Sequence, residues 1–238
     1  MAQRPDYQYF KSNDKAPYYQ LSNFFYAPFV LKRSDVTADM RAVCPGLAEW
    51  VPEEGTRFPT SEHCWQSLKS TDKTTFLRFT CDGDIGRWNP EVFGNSVAWD
   101  KDPAKRAEKV AAKLKSWQPK NQLGVQAKLA ANSDYAARLG LDGGKMDFDR
   151  EWLAPAIERS VWLSILRLKY RQNEGPRGVL LATRGKHLIE RSISAIRLRR
   201  EGKPLPHWEG MVDPEQPGLV IVGDNAMGNY LMAARESL

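Results

Sequence analysis

The chain has 238 residues, 42% of them apolar, and 35 basic against 29 acidic residues give a net charge of +6 at pH 7. That composition excludes a disordered chain, and no run approaches the ~18 consecutive apolar residues of a membrane span. Three cysteines, Cys44, Cys64 and Cys81, are odd in number and too few for a disulfide framework, and Met1 to Lys11 has no apolar leader segment. The expected setting is reducing and intracellular: cytoplasmic, or nuclear in a eukaryote.

In chain order, residues 1–19 read as a polar, irregular lead-in and residues 20–238 as one domain. Phe24 to Lys32 (FFYAPFVLK) has the aromatic and apolar content of a strand, with Pro28 restricting it to an edge or bend. Residues 33–57 read as a loop or a two-strand excursion. A helix begins at Thr60 or Ser61, where a hydroxyl can cap it and Glu62 suits the first turn. Asp102-Pro103 opens a second helix, with Asp as cap and Pro in the first position. Arg150 to Tyr170 carries Leu153, Ile157, Val161, Ile165 and Leu168 at three- and four-residue spacing, a helix with one buried face. Arg177 to Thr183 reads as a short helix and His187 to Glu190 as a short strand. Arg191 to Gly218 reads as irregular, Leu219 to Val222 as a buried strand, and Asp224 or Asn225 to Glu236 as a last helix. Helices dominate and strands are short and scattered, so the fold class is α+β, predominantly helical.

The densest polar signal is FPTSEHCWQSLKS, Phe58 to Ser70. At ~100° per residue, Glu62, Gln66 and Lys69 fall within about 60° of one another on a helix. An acid and an amine on one face can exchange a proton, and each tunes the pKa of the other. An ordinary surface ion pair has the same spacing. His63 and Cys64 point ~100° apart and make no chelating pair, so no metal and no cofactor is expected. A second signal is GDNAMGNYLMAAR, Gly223 to Arg235, where Gly223, Asn225 and Gly228 open a helix after a strand. Amides there can meet a phosphate; the same glycines also permit tight helix packing. Two basic blocks stand out: 101–128 with eight basic and two acidic residues, and 184–203 with seven basic and two acidic. Each could follow a phosphate backbone or coat a solvated face.

Four segments in order resemble the NADAR family (NAD- and ADP-ribose-associated domain). They are LSNFF at Leu21 to Phe25; FPTSEHCWQSLKS, through Pro59, Thr60, Glu62, His63, Gln66 and Lys69; LKYRQN with LLATRGKHLIE, through Lys169, Tyr170, Gln172, Asn173, Thr183 and Glu190; and GDNAMGNYLMAAR, through Gly223, Asn225, Gly228, Leu231, Met232 and Arg235. The resemblance implies an N-glycosidase that cuts the bond between a ribose and a nitrogenous base. Glu62 would stabilise the positive ribose carbon or activate water, and Lys69 would protonate the departing base or trap the opened sugar as a Schiff base. Asn23 and Gln66 would position hydroxyls, Trp65 or Trp88 would stack on the base, and the amides near Gly223, Asn225 and Gly228 would hold phosphate. The family's aspartate and WGxG turn have no clean counterpart after Glu190; Trp208 and Asp213 are the candidates.

The expected substrate is ADP-ribosylated guanine in nucleic acid or nucleotide. Single-stranded DNA or RNA would contact the basic blocks 101–128 and 184–203 and the tryptophans Trp88, Trp99 and Trp117. The alternatives are a glycosidase of ribosylamino-pyrimidine intermediates of riboflavin synthesis and a non-catalytic ADP-ribose or NAD reader.

Overall fold

The computed structural model describes residues 6–11, 14, 16–89, 100, 102–116, 119–132, 136, 139–141, 146 and 154–238. The strands are β1 (Tyr7–Phe10), β2 (Phe29–Leu31), β3 (Thr56–Phe58), β4 (His187–Glu190), β5 (Met211–Val212) and β6 (Ile221–Val222). The helices are α1 (Ala38–Val43), α2 (Leu47–Trp50), α3 (Ser61–Ser67), α4 (Lys73–Arg78), α5 (Pro103–Ser116), α6 (Pro119–Ala130), α7 (Pro155–Gln172), α8 (Glu174–Leu181), α9 (Ala195–Arg200) and α10 (Ala226–Arg235). The architecture is α+β and mostly helical. It resolves into two compact units, Asn23–Asn173 and Met1–Ser22 with Glu174–Leu238.

In the unit Asn23–Asn173, capping side chains set the helix starts. Thr37, Thr60 and Asp72 accept from the amides of Met40, His63 and Thr75, and Asp102 accepts from Ala104 N at 2.9 Å. Those caps and the buried Met40, Val43 and Leu47 make residues 38–50 two short helices, where the sequence suggested loop or strands. Only the end of that segment is extended, as β3. Strand β2 begins just after Pro28 and pairs antiparallel with β3, Phe29 opposite Phe58. Its other edge is closed by one side chain: Gln172 Oε1 accepts from Val30 N at 2.8 Å, and Gln172 Nε2 donates to Val30 O at 2.9 Å. Asn173 Nδ2 donates to Pro28 O and Lys169 O. The amide pair that ends α7 thus holds an edge strand that would otherwise present open backbone groups.

Helix α7 starts with Pro155 in its first turn; Leu153 lies outside the described residues. Its buried stripe is Glu158, Val161, Trp162, Ile165, Leu166, Lys169 and Tyr170, one residue round from the expected face, so Ile157 and Leu168 are only partly buried. The shift takes Trp162 into the core, where its ring stacks on Trp65 at 4.9 Å, and it brings in Lys169, which is fully buried.

In the other unit, residues 7–10, within the segment expected to be irregular, form β1, parallel to β4 with Tyr7 opposite His187. Residues 191–218, also expected to be irregular, contain α9 and β5, and the expected strand 219–222 narrows to β6, with Val220 40% exposed. Helix α10 lies on β4. A Cβ at Gly228 would meet Leu188 O at 2.2 Å, so only glycine allows that approach. Asn225, in the left-handed region at φ 51°, precedes α10. Its Oδ1 accepts from Glu190 N at 3.0 Å and its Nδ2 donates to Leu188 O at 2.9 Å, as a neighbouring strand would. The Arg235 guanidinium closes the far end on Thr183 O and Lys186 O.

Asn225→Ala removes both bonds to β4 and puts alanine in a left-handed turn, without the short polar side chain that favours that conformation. It is expected to lower the unfolding free energy by about 2–4 kcal/mol, read from urea denaturation. An unchanged midpoint would count against the staple.

Candidate active site

Helix α3 is buried all round, which forces every polar group on it to find a partner. Thr60 caps it through His63 N at 3.2 Å. Asn23 is pinned beside the first turn: its carbonyl accepts from Glu62 N and from Ser61 Oγ, both at 3.2 Å. From there Asn23 Nδ2 donates to Glu62 Oε2. One turn along α3, Gln66 Nε2 donates to Glu62 Oε1 at 2.7 Å. Both oxygens of a carboxyl group that is 3% exposed are therefore held by side-chain amides. Gln66 Oε1, also buried, has no hydrogen-bond partner among the described residues.

The helix does not continue to Lys69. Leu68 N and Lys69 N donate three residues back, to Trp65 O and Gln66 O, so the last turn tightens and Lys69 follows the helix rather than riding on it. Its charge nevertheless acts on Glu62. Burial pushes the Glu62 carboxyl above its ordinary 4.5; the Lys128 ammonium, the Gln66 amide, the Lys69 ammonium and the Asn23 amide oppose it, in that order. Burial pushes Lys69 below its ordinary 10.5, Glu62 opposes that, and Lys128 adds to it. The two shifts run toward each other, so burial draws the pair away from carboxylate and ammonium and toward carboxylic acid and free amine.

Helix α6 is fixed against α3 by polar contacts around one carbonyl. His63 Nε2 lies 3.2 Å from Ile85 O, and Gln126 Nε2 donates to the same oxygen at 2.7 Å and to Arg87 O at 2.7 Å. Since a carbonyl only accepts, Nε2 carries the imidazole proton and Nδ1 accepts from Thr60 Oγ1 at 2.8 Å. Burial pushes His63 down to about 3, so it is a neutral structural bridge. A Cβ at Gly124 would lie 2.4 Å from Phe24 Cα, so α6 meets the backbone next to Asn23. One turn on, Lys128 Nζ sits 5.6 Å over the Phe24 ring. Gly124, Gln126 and Lys128 escaped sequence reasoning. Lys128 stood in the basic block 101–128, but nothing in that block's spacing selects it.

The remaining expected residues are distributed as follows. Trp65 is 4% exposed and stacked on Trp162, which makes it a core ring rather than a platform for a base. Trp88 is 38% exposed. Trp99 and Trp117 lie outside the described residues. In the other unit, the amides of Asp224, Asn225, Ala226 and Met227 donate to the carbonyls of Pro206, Glu209, His207 and Trp208. Gly223, at φ 98°, and Gly228 serve close backbone packing. Of the amides expected to meet a phosphate, that of Asn225, with its neighbours at 224, 226 and 227, is engaged by the loop 206–209 instead. Trp208 packs edge-on against Tyr230 at 6.5 Å. Asp213 is buried; its bond to Arg199 at 2.6 Å holds the carboxyl below the ordinary carboxylate range. In block 184–203, Lys186, Arg191, Arg197, Arg199, Arg200 and Lys203 are each paired with a carboxylate, which leaves little charge there for a phosphate backbone. No group of three or more His, Cys, Asp or Glu among the described residues could hold a metal. A cleft of about 750 Å³ in the unit of α3, lined by Trp50, Arg57 and Lys73 among others, includes none of Asn23, Glu62, Gln66 or Lys69.

Because the folded Glu62 binds its proton more tightly than the unfolded chain does, the site lowers stability progressively as pH rises above 4.5. Glu62→Gln removes that penalty, and the Gln66 amide can turn its unpartnered oxygen toward the new donor. The variant is expected to melt higher than wild type at pH 7, with the gap closing as pH falls to 4.5. Parallel melting curves across that window would refute the burial argument.

No family model matches the chain, and no curated protein matches it. Among the described residues no helix is long and apolar enough to cross a membrane. Among solved structures the chain is similar to the NMR structure of the E. coli protein YbiA, with 19% identity over 99% of this chain and 86% of that one and a TM-score of 0.44.

Proposed function

We propose that the chain is an N-glycosidase of the NADAR type that removes ADP-ribose from guanine in nucleic acid or nucleotide. The observation that carries the reading is the buried Glu62 carboxyl, gripped on both oxygens by Asn23 and Gln66 and coupled to Lys69. A structural role alone does not call for an acid at a position where burial works against its charge. The directions of the two shifts favour the Schiff-base role of Lys69 over the acid role.

In that mechanism the Lys69 amine attacks the ribose carbon. The carbon–nitrogen bond to the base breaks, its electron pair stays on the base nitrogen, and that nitrogen takes the proton of the Glu62 carboxylic acid. The ribosyl-ammonium returns a proton to Glu62, which passes it to the ring oxygen as the sugar opens to a Schiff base. Water then adds, the carbon–lysine bond breaks, and Lys69 is regenerated. The active form of the pair carries one proton, so the rate falls both where it gains a second and where it loses the last.

Wild-type protein incubated with an ADP-ribosylated guanine oligonucleotide is expected to release free ADP-ribose and unmodified oligonucleotide with a bell-shaped pH–rate profile. Glu62→Gln should slow release by about 100-fold or more. Borohydride should trap a covalent adduct on wild type and none on Lys69→Arg, whose guanidinium stays protonated. No release by wild type, or full release by Glu62→Gln, would overturn the reading.

A further inference from the structure

We infer that Lys128 is a specificity-determining residue of this site and holds an anionic group, a phosphate or pyrophosphate, attached to the sugar that Glu62 and Lys69 act on. The inference rests on the glycosidase reading for the identity of the sugar and on geometry for the anion.

Helix α6 is not free to place Lys128 elsewhere. Gly124 lets it touch the Phe24 backbone, Gln126 ties it to Ile85 O, and His63 ties α3 to that same oxygen. Lys128 is on the face that Gly124 presents, one turn later, with its ammonium over the Phe24 ring next to Asn23. The Phe24 π-face lies within cation–π range of the charge. Lys128 is exposed, whereas Lys69 is partly buried and Glu62 fully so. The three charges are therefore graded by depth: a covered acid, an intermediate amine and an outer ammonium. With one proton shared between Glu62 and Lys69 that pair carries no net charge, so the Lys128 ammonium leaves the site net positive and an anionic ligand is the one it complements. The unpartnered Gln66 Oε1, 6% exposed, adds an acceptor suited to a hydroxyl. An outer cation and an inner hydroxyl acceptor together describe a sugar phosphate.

The test is calorimetry at low salt with inorganic pyrophosphate, ADP-ribose and adenosine, on wild type, Lys128→Ala and Lys128→Arg. An exposed residue tolerates both substitutions without loss of fold. Wild type is expected to bind pyrophosphate and ADP-ribose, and Lys128→Ala to bind each about tenfold more weakly, the change one charge-assisted contact supports. Lys128→Arg should restore binding to within about threefold, with adenosine affinity the same in all three. In turnover, with each protein assayed at its own pH optimum, Lys128→Ala should raise KM by a larger factor than it changes kcat, and its optimum should move because Lys128 acts on Glu62 and Lys69. Pyrophosphate that does not bind wild type, Lys128→Ala binding within twofold of wild type, or an equal loss for adenosine would overturn the inference. Pyrophosphate binding that depends on Lys128, without cleavage of ADP-ribosyl-guanine, would refute the glycosidase reading and leave the anion site standing. Cleavage with an unchanged KM in Lys128→Ala would do the reverse.

Discussion

A carboxyl group taken out of water is the constraint around which the Asn23–Asn173 unit is arranged. Glu62 sits on a helix with no solvated face, and charge there is costly unless the surroundings compensate. The compensation is incomplete: two amides and two ammoniums oppose the shift, yet desolvation prevails. Asn23 must be held at the helix start, which its own carbonyl does through Glu62 N and Ser61. Gln66 must point back along the helix, which leaves its oxygen without a donor. Lys69 must come close after the helix has ended, which the tightened last turn permits. A purely structural helix could meet the same packing needs with leucine at position 62.

The second constraint is the shared carbonyl of Ile85. It receives His63 and Gln126, and through it α3, the segment 85–89 and α6 become one hydrogen-bonded assembly. A histidine between an acid and a cysteine in the sequence invites a chemical role. Its surroundings deny that role: both nitrogens are engaged, no water reaches the ring, and the imidazole stays neutral. Its contribution is to orient α3 against α6.

Much of this was legible in the sequence, for reasons that differ by residue. The Thr60 cap and the Glu62–Gln66 pairing follow from local chemistry and helical periodicity alone. The edge position of β2 follows from Pro28. The α7 stripe was displaced by one residue because Trp162 pairs with Trp65, a tertiary contact that periodicity within one helix does not contain. Residues 38–50 became helical through caps and buried apolar positions too short to give a periodic signal. The glycines before α10 looked like an anion cradle. Gly223 and, inside the helix, Gly228 serve close backbone approach to Glu209 and Leu188, and the carbonyls of loop 206–209 take the amides of 224–227. Lys128 was invisible, since its proximity to Glu62 arises from helices joined by a long intervening segment.

Gln66 ends as the residue with the most to say about selectivity. Its amide nitrogen is committed to Glu62 and cannot be released without exposing the acid, so the side chain cannot rotate to suit a guest. The oxygen is thus a fixed, dry acceptor. A sugar that offers it a hydroxyl meets a need that a deoxy sugar leaves unmet, and leaving a buried acceptor unmet costs about 1–3 kcal/mol. On the glycosidase reading proposed above, the amide that steadies the acid is also the group that would tell ribose from its deoxy counterpart.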